Sequence, residues 1–281
     1  MLFQDARDYQ ILFLASFLML GIATRDWTLK PELIGAIIAT CLVTQWTSDE
    51  LVKYLKNKED FQLSNPLKLS SLRSAIITAL GLSLLLRADS FSTVMLAGSL
   101  AILSKHIFKF NNKHFFNPAN FGIISVLTLT TDAWVSPGQW GDEWWYALLF
   151  FGAGGIVLKQ VGRWDTTAIF LGTYASLEAI RNVWLGWTWD VFLHRLMSGS
   201  LLLFALFMLT DPRSIPNAKF GRCIWAICIA GLTFVLRNQY YVPTAVFWAL
   251  FALAPLSVIL DIVWTAPRFN WLKASNELIA N

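Results

Sequence analysis

The stretch Phe115-Phe116-Asn117-Pro118-Ala119-Asn120-Phe121-Gly122-Ile123-Ile124-Ser125-Val126-Leu127-Thr128-Leu129-Thr130-Thr131 contains no charged residue. An Asn side chain can accept a hydrogen bond from an amide two or three residues on, and Pro suits the first helical position, so Asn117-Pro118 reads as a helix start. That start lies inside an apolar stretch. Asp211-Pro212, which closes the apolar run 196–210, reads the same way. In a bilayer, a helix beginning there presents unpaired backbone amides at a positively polarised end, which is tolerated only where protein or a cavity surrounds them. The two dipeptides therefore frame a candidate polar site. The plainer alternative is that Asn117 and Asp211 cap helices at the two membrane surfaces and hold no ligand.

Working outward, ten uncharged stretches follow one another: 11–24, 33–48, 74–86, 90–104, 115–131, 144–158, 166–177, 196–210, 223–236 and 238–260. Of the 281 residues, 56% are hydrophobic and 14% charged, with 21 Phe and 14 Trp and a mean hydropathy of +0.53. A soluble domain carries about 25% charge, so this chain has too little polar surface to cover a water-soluble body. It is expected to be an all-α polytopic membrane protein with about ten spans. Soluble enzyme, nucleic-acid binder and disulfide scaffold are excluded on the same ground. Most stretches fall short of the roughly 20 residues of a straight crossing, which predicts snorkelling ends and helices broken inside the membrane.

The first run follows Asp5, Arg7 and Asp8 and leads to no small-residue cleavage site, so it is expected to stay as the first helix. Segment 48–73 carries Lys53, Lys56, Lys58, Lys68 and Arg73, which places it in the cytoplasm by the positive-inside rule. Ten spans then put both termini on the cytoplasmic face of the cell (inner) membrane. Trp27, Trp46, Trp134, Trp140, Trp164, Trp187, Trp189 and Trp264 lie at run ends and read as an interfacial belt. Cys41, Cys223 and Cys228 read as small buried hydrophobes. His106, His114 and His194 lack metal-ligand spacing, and the first two read as interfacial. Gly152, Gly154 and Gly155, with no strand before them, point to close helix packing rather than a phosphate loop.

Short motifs recur in order. Ala75-Ile76 and Ser83-Leu84 reappear as Ala168-Ile169 and Ser176-Leu177, Gly98-Ser99-Leu100 as Gly199-Ser200-Leu201, Asn117-Pro118 as Asp211-Pro212, and Ala119-Asn120-Phe121-Gly122 as Ala218-Lys219-Phe220-Gly221. The expectation is a single membrane domain of two repeats, about 10–132 and 144–264, with a cytoplasmic tail 265–281. Five spans per repeat is odd, so the copies would be inverted. Around the two dipeptides lie Lys105, Lys109, Lys113, Arg213, Lys219 and Arg222, which would welcome an anionic partner or meet lipid headgroups. Glu178, in an apolar run three residues before Arg181, is expected to be functional or paired with Arg.

Four segments carry a family resemblance: Ile76-Ile77-Thr78-Ala79-Leu80-Gly81-Leu82 with Leu86-Arg87, Ser104-Lys105-His106-Ile107-Phe108, Phe116-Asn117-Pro118-Ala119-Asn120-Phe121-Gly122, and Met208-Leu209-Thr210-Asp211-Pro212-Arg213-Ser214. The chain resembles, over about residues 70–262, the RnfD and NqrB membrane subunits of the Rnf complex and of the sodium-pumping NADH:quinone reductase. The resemblance implies a urea-transporter-like fold, a flavin (riboflavin or FMN) and redox partner subunits. Electron-transfer members attach FMN to the Thr of a Ser-Gly-Ala-Thr motif, which segment 131–142 lacks, so the flavin expected here is non-covalent. In this reading Asn117, Pro118 and Asp211 order the helix starts, Asn120 bonds the ring, and Lys105, Arg213 and Arg222 stabilise its reduced anion. A small-solute transporter or channel, or an accessory protein of a biosynthetic pathway, are the alternatives.

Overall fold

The computed structural model describes residues 5–24, 30–56, 69–136, 144–269 and 271. Trp27, Trp140, residues 57–68 of the basic segment and the tail beyond Trp271 lie outside them. The described chain is all-α apart from two short antiparallel strand pairs, of which one is a hairpin. Its helices are α1 (Ala6–Thr24), α2 (Pro31–Lys56), α3 (Leu69–Leu85), α4 (Phe91–Ile107), α5 (Pro118–Leu129), α6 (Trp144–Val161), α7 (Trp164–Trp184), α8 (Trp189–Leu196), α9 (Gly199–Leu203), α10 (Lys219–Asn238), α11 (Ala245–Leu253) and α12 (Leu256–Val263). A π-helical turn, Phe204–Met208, continues α9. Strands β1 (Leu86–Ala88) and β4 (Ala133–Val135) pair antiparallel, as do β2 (Lys109–Phe110) and β3 (Lys113–His114).

Each of the ten uncharged stretches overlaps a helix or a broken pair. Among the described residues, 6–23 and 219–238 are long and apolar enough to cross a membrane, and α11 with α12, bent by 46°, passes the same test together. Five shorter apolar helices accompany them. The bend falls at Ala254-Pro255, where proline removes a backbone donor. Where helices start is set by short side chains. Ser90 accepts from Thr93 N at 3.3 Å to cap α4, and Asn117 Oδ1 accepts from Asn120 N at 3.0 Å with Pro118 behind it, as the sequence predicts.

Asp211-Pro212 does not start a helix. Residues 212–214 form a turn, and α10 begins at Lys219 after Ala218. Asp211 instead folds its carboxylate onto Arg213 N at 3.1 Å, an Asx-type turn that competes with capping. One dipeptide starts a helix; the other ends one.

The N-terminal ends of α1, α3 and α5 and the C-terminal ends of α2, α4, α6 and the π-helical turn gather around one cavity. The N-termini of α7 and α10 lie at the same end, joined to each other by Arg222 on Asp165 and to the β2–β3 hairpin by Lys113 on Asn217. The motif matches pair α3 with α7, α4 with α9 and α5 with α10, helices that run in the same direction. Those matches therefore do not mark an inverted pair.

Close crossings are made by small residues. A Cβ on Gly122 would sit 2.6 Å from Ala97 O and 2.9 Å from Ala101 Cβ, so α5 lies against the α4 backbone. A Cβ on Gly154 would meet the Leu206 side chain at 2.8 Å, whereas Gly152 and Gly155 face open space. The glycine run packs helices through Gly154 alone. Cys41 is fully buried, and Cys223 and Cys228 are half-buried.

Candidate functional site

The cavity, about 740 Å³, has the size of a cofactor site. Leu14, Leu42, Ile77, Leu84, Val157, Leu203 and Phe207 supply apolar wall, and polar groups converge from six helix ends. The capped start of α5 places Asn117 and Pro118 in the wall; the turn after the π-helix adds Asp211 and Arg213. Asn117 Nδ2 donates to Met208 O at 3.1 Å, so the helix start and the helix end are tied across the cavity floor.

Lys105, on the last turn of α4, is only 7% exposed. Its Nζ donates to Gln45 Oε1 at 3.3 Å, Ser74 Oγ at 3.1 Å and Ser74 O at 3.4 Å. All three acceptors are neutral. A buried ammonium with no carboxylate in contact keeps its field for whatever enters the cavity. Beside it, Gln45 lies 3.4 Å from His106 Nε2 and donates to Asp49 at 3.2 Å, while Ser71 donates to the other Asp49 oxygen. His106 Nδ1 and the Trp46 Nε1–H are buried with no hydrogen-bond partner among the described residues, and both residues line the cavity.

The rest of the rim is internally paired. Asp5 binds Arg7 at 2.5 Å and Arg73 at 3.5 Å, Arg73 also holds Asp8 at 2.7 Å, Lys53 holds Glu50 at 2.7 Å, and His114 Nε2 lies 3.6 Å from Asp211. Arg7, Lys53, Arg73, Lys105, Lys109 and Arg213 face Asp5, Asp49, Glu50 and Asp211 around the wall, leaving a positive surplus.

Of the residues singled out from sequence, Lys105, Asn117, Pro118, Asp211 and Arg213 meet at this cavity. Asn120 and Arg222 do not. Asn120 is turned the other way, with Nδ2 on Phe247 O at 3.1 Å and Oδ1 buried without a partner among the described residues. Arg222 is spent on Asp165, with Nη2 at 2.6 Å and Nε at 3.1 Å from Oδ2, and on Asn217 O at 2.7 Å. Trp46 leaves the expected belt for the cavity wall, while Trp134, Trp164 and Trp189 remain exposed near helix ends. His106 and His114 line the cavity too. Glu178 is paired with Arg195 of α8 at 3.0 Å, not with Arg181 of its own helix. Gln45, Ser74, Asp49 and Trp46 were not legible as site residues, because an uncharged run discloses which residues cross the membrane and not which face they turn inward.

Residues 132–268 match the NQR2, RnfD, RnfE family. The matched stretch holds Asp211 and Arg213; the segments around Lys105 and Asn117 precede it. Similar proteins include RnfD-type subunits of ion-translocating oxidoreductase complexes. That of Actinobacillus pleuropneumoniae serotype 5b is 30% identical over 133 residues, and that of Stutzerimonas stutzeri 33% identical over 133 residues. The Vibrio atlanticus relative is 32% identical over 131 residues. These alignments cover 46–47% of this chain and 37–38% of the relatives. The chain thus matches well under half the length of the curated RnfD relatives.

Proposed function

We propose that the chain is a membrane subunit of a multi-subunit electron-transfer assembly, and that its cavity holds a flavin non-covalently. The observation that carries this reading is Lys105, a buried ammonium on the cavity wall that touches only neutral acceptors. The residues fit such a group. The cavity volume suffices, apolar walls suit a ring system, and Trp46 Nε1 and His106 Nδ1 are buried hydrogen-bonding atoms without partners among the described residues. A bound isoalloxazine ring supplies electron uptake and release. Lys105 would stabilise negative charge accumulating beside it, Trp46 would donate a hydrogen bond to the group, and the apolar wall would exclude water so that these fields are little screened. Asn117, through Met208 O, and Asp211, through its turn onto Arg213, would fix the cavity wall. Redox partner subunits follow from the relatives, which are subunits of ion-translocating oxidoreductase complexes.

Within the same reading the subunit has ten spans in the cell membrane as a five-plus-five inverted repeat with both termini cytoplasmic. The support is a packing order that recurs with reversed direction. In the first half α2 packs on α4 and α4 on α5; in the second α7 packs on α10 and α10 on α11. Polar residues recur with it. Gln45 and Asp49 on α2 meet Lys105 and His106 on α4 at one end, and Tyr174 and Glu178 on α7 meet Arg237 and Asn238 on α10 at the other.

The test is the visible spectrum and intact mass of the full chain purified in mild detergent from flavin-replete cells. Flavin absorbance that is released on denaturation, with the protein at its sequence mass, is the expected result. A colourless protein that carries solute across liposomes overturns the reading in favour of a transporter.

A further inference from the structure

A row of aromatic rings separates two polar ends of the molecule. At one end lies the cavity, with Lys105, Asn117 and Asp211 in its wall. At the other, Glu178 of α7 is held by Arg195 at 3.0 Å and by Asn238 at 2.8 Å, and Arg237 donates to the Tyr174 hydroxyl at 3.0 Å. Between them the contacts run from ring to ring. Tyr174 lies parallel to Phe170, one turn earlier on α7, with centroids 6.2 Å apart; Phe170 meets Phe204 at 5.4 Å, and Phe204 meets Phe247 edge-on at 5.7 Å. All four side chains are at most 1% exposed. The row reaches the cavity wall at its other end. Leu203 and Phe207, on the same turns as Phe204, line the cavity, and Phe247 O accepts from Asn120, whose own N–H donates to Asn117.

The rings stand where the backbone is least self-sufficient. The π-helical turn and the starts of α5 and α11 interrupt helices inside the protein, and such interruptions free backbone carbonyls that must be satisfied again. Side chains of other helices take them up: Thr167 Oγ1 donates to Ala205 O at 2.7 Å, Asn117 Nδ2 to Met208 O at 3.1 Å and Asn120 Nδ2 to Phe247 O at 3.1 Å. Polar atoms thus lead inward from the cavity to Phe204 and Phe247, and polar atoms resume at the Tyr174 hydroxyl. Among the described residues, packed ring surface lies between the two sets. Water occupies a space that is roomy and offers polar partners. Close-packed rings offer neither, and an apolar constriction blocks passage by staying dry.

We propose that Phe170, Tyr174, Phe204 and Phe247 form a dry septum that closes the inner end of the cavity. The cavity then exchanges its ligand with one membrane face only, and neither protons nor small solutes pass between the two polar ends. The rings exclude water, while Thr167, Asn117 and Asn120 satisfy the carbonyls that would otherwise draw it in. The septum does not depend on what the cavity binds.

The test uses the full chain, ligand-free and reconstituted in liposomes, with proton entry down a pH gradient read by a trapped pH-sensitive dye. Vesicles with the parent protein are expected to be as tight as protein-free ones. The double variant Phe204→Ser/Phe247→Ser opens room for waters, about 30 Å³ each, beside Ala205 O and Phe247 O, and should speed proton entry several-fold. Phe204→Leu/Phe247→Leu keeps an apolar filling and should stay tight. A second measurement needs neither variant. Ser74→Cys places a thiol on the cavity wall in a background with Cys41, Cys223 and Cys228 changed to alanine. A membrane-impermeant thiol reagent outside the vesicles is expected to label only the molecules whose cavity mouth faces outward, and the remainder once detergent is added. Proton entry through the parent above the protein-free level, complete labelling before detergent, a folded serine variant as tight as the parent, or equal leaks through the leucine and serine variants overturns the proposal.

Discussion

Lys105→Met should cost the ligand-free protein little or nothing while it weakens the flavin, because the two effects draw on the same buried charge. Methionine nearly matches the lysine stem in volume. The residue is 7% exposed, and its contacts at 3.1, 3.3 and 3.4 Å are long for charged donors, which prefer about 2.7–2.9 Å. They recover little of the several kcal/mol that desolvation of an ion costs. Replacing a buried ion by an apolar isostere is neutral to stabilising by about 1–4 kcal/mol. Against this, Gln45 Oε1 and Ser74 Oγ each lose a donor, at about 1 kcal/mol apiece, whereas Ser74 O keeps the Thr78 hydroxyl at 3.0 Å. The net expectation lies between a loss of about 1 kcal/mol and a gain of about 2 kcal/mol without ligand. With flavin, one charge-assisted contact worth about 1.5–3 kcal/mol is lost, which weakens Kd by about ten- to a hundredfold. Calorimetry of the stripped protein and titration by flavin fluorescence measure the two quantities separately. A destabilised apo-protein with undiminished flavin affinity would refute the assignment, since Lys105 would then be a structural residue satisfied by its neighbours.

Asn117→Ala removes the α5 cap, about 1 kcal/mol, and the tie to Met208 O, about 1 kcal/mol more. Asp211→Ala loses only a turn bond and a loose His114 contact, so thermal unfolding should rank Asn117→Ala the more destabilised, and the reverse order contradicts the Asx-turn assignment. Gly122→Ala forces α5 off the α4 backbone, at a cost of about 1–3 kcal/mol, while Gly155→Ala, into open space, should leave the unfolding temperature unchanged or slightly raised. Asp132 accepts from the Thr93 and Ser90 hydroxyls and from Ser90 N, which pulls its carboxyl down to about 2. Its folded pKa is lowered, so the stabilisation it gives is complete above about pH 4 and is lost as the pH falls towards 2. Asp132→Asn should flatten stability in that window, and an identical acid limb in the variant counts against the cap.

Composition alone settled that this is a membrane protein, because 14% charge cannot cover a soluble body of 281 residues. The uncharged runs located its helices for the same reason, since charge is excluded where the chain meets lipid or packed protein. Asn117-Pro118 was readable as a helix start because capping is local, settled within four residues of chain. Asp211-Pro212 looks equivalent in sequence and is not. Its carboxylate had two nearby uses, a helix cap or a turn onto Arg213, and the choice depends on where residues 212–218 must travel to bring α10 against α7. Short motif matches carry little for a related reason, since in an apolar chain they recur between helices of the same direction. The site divided along the same line. Lys105, Asp211 and Arg213 could be found because charge in an apolar setting is conspicuous. Arg222 is equally conspicuous, yet its use is decided by Asp165, 57 residues away. Trp46 and Gln45 acquire a role only when α2 is rotated against α3 and α4, and that rotation comes from the summed packing of many side chains, which no stretch of sequence expresses by itself.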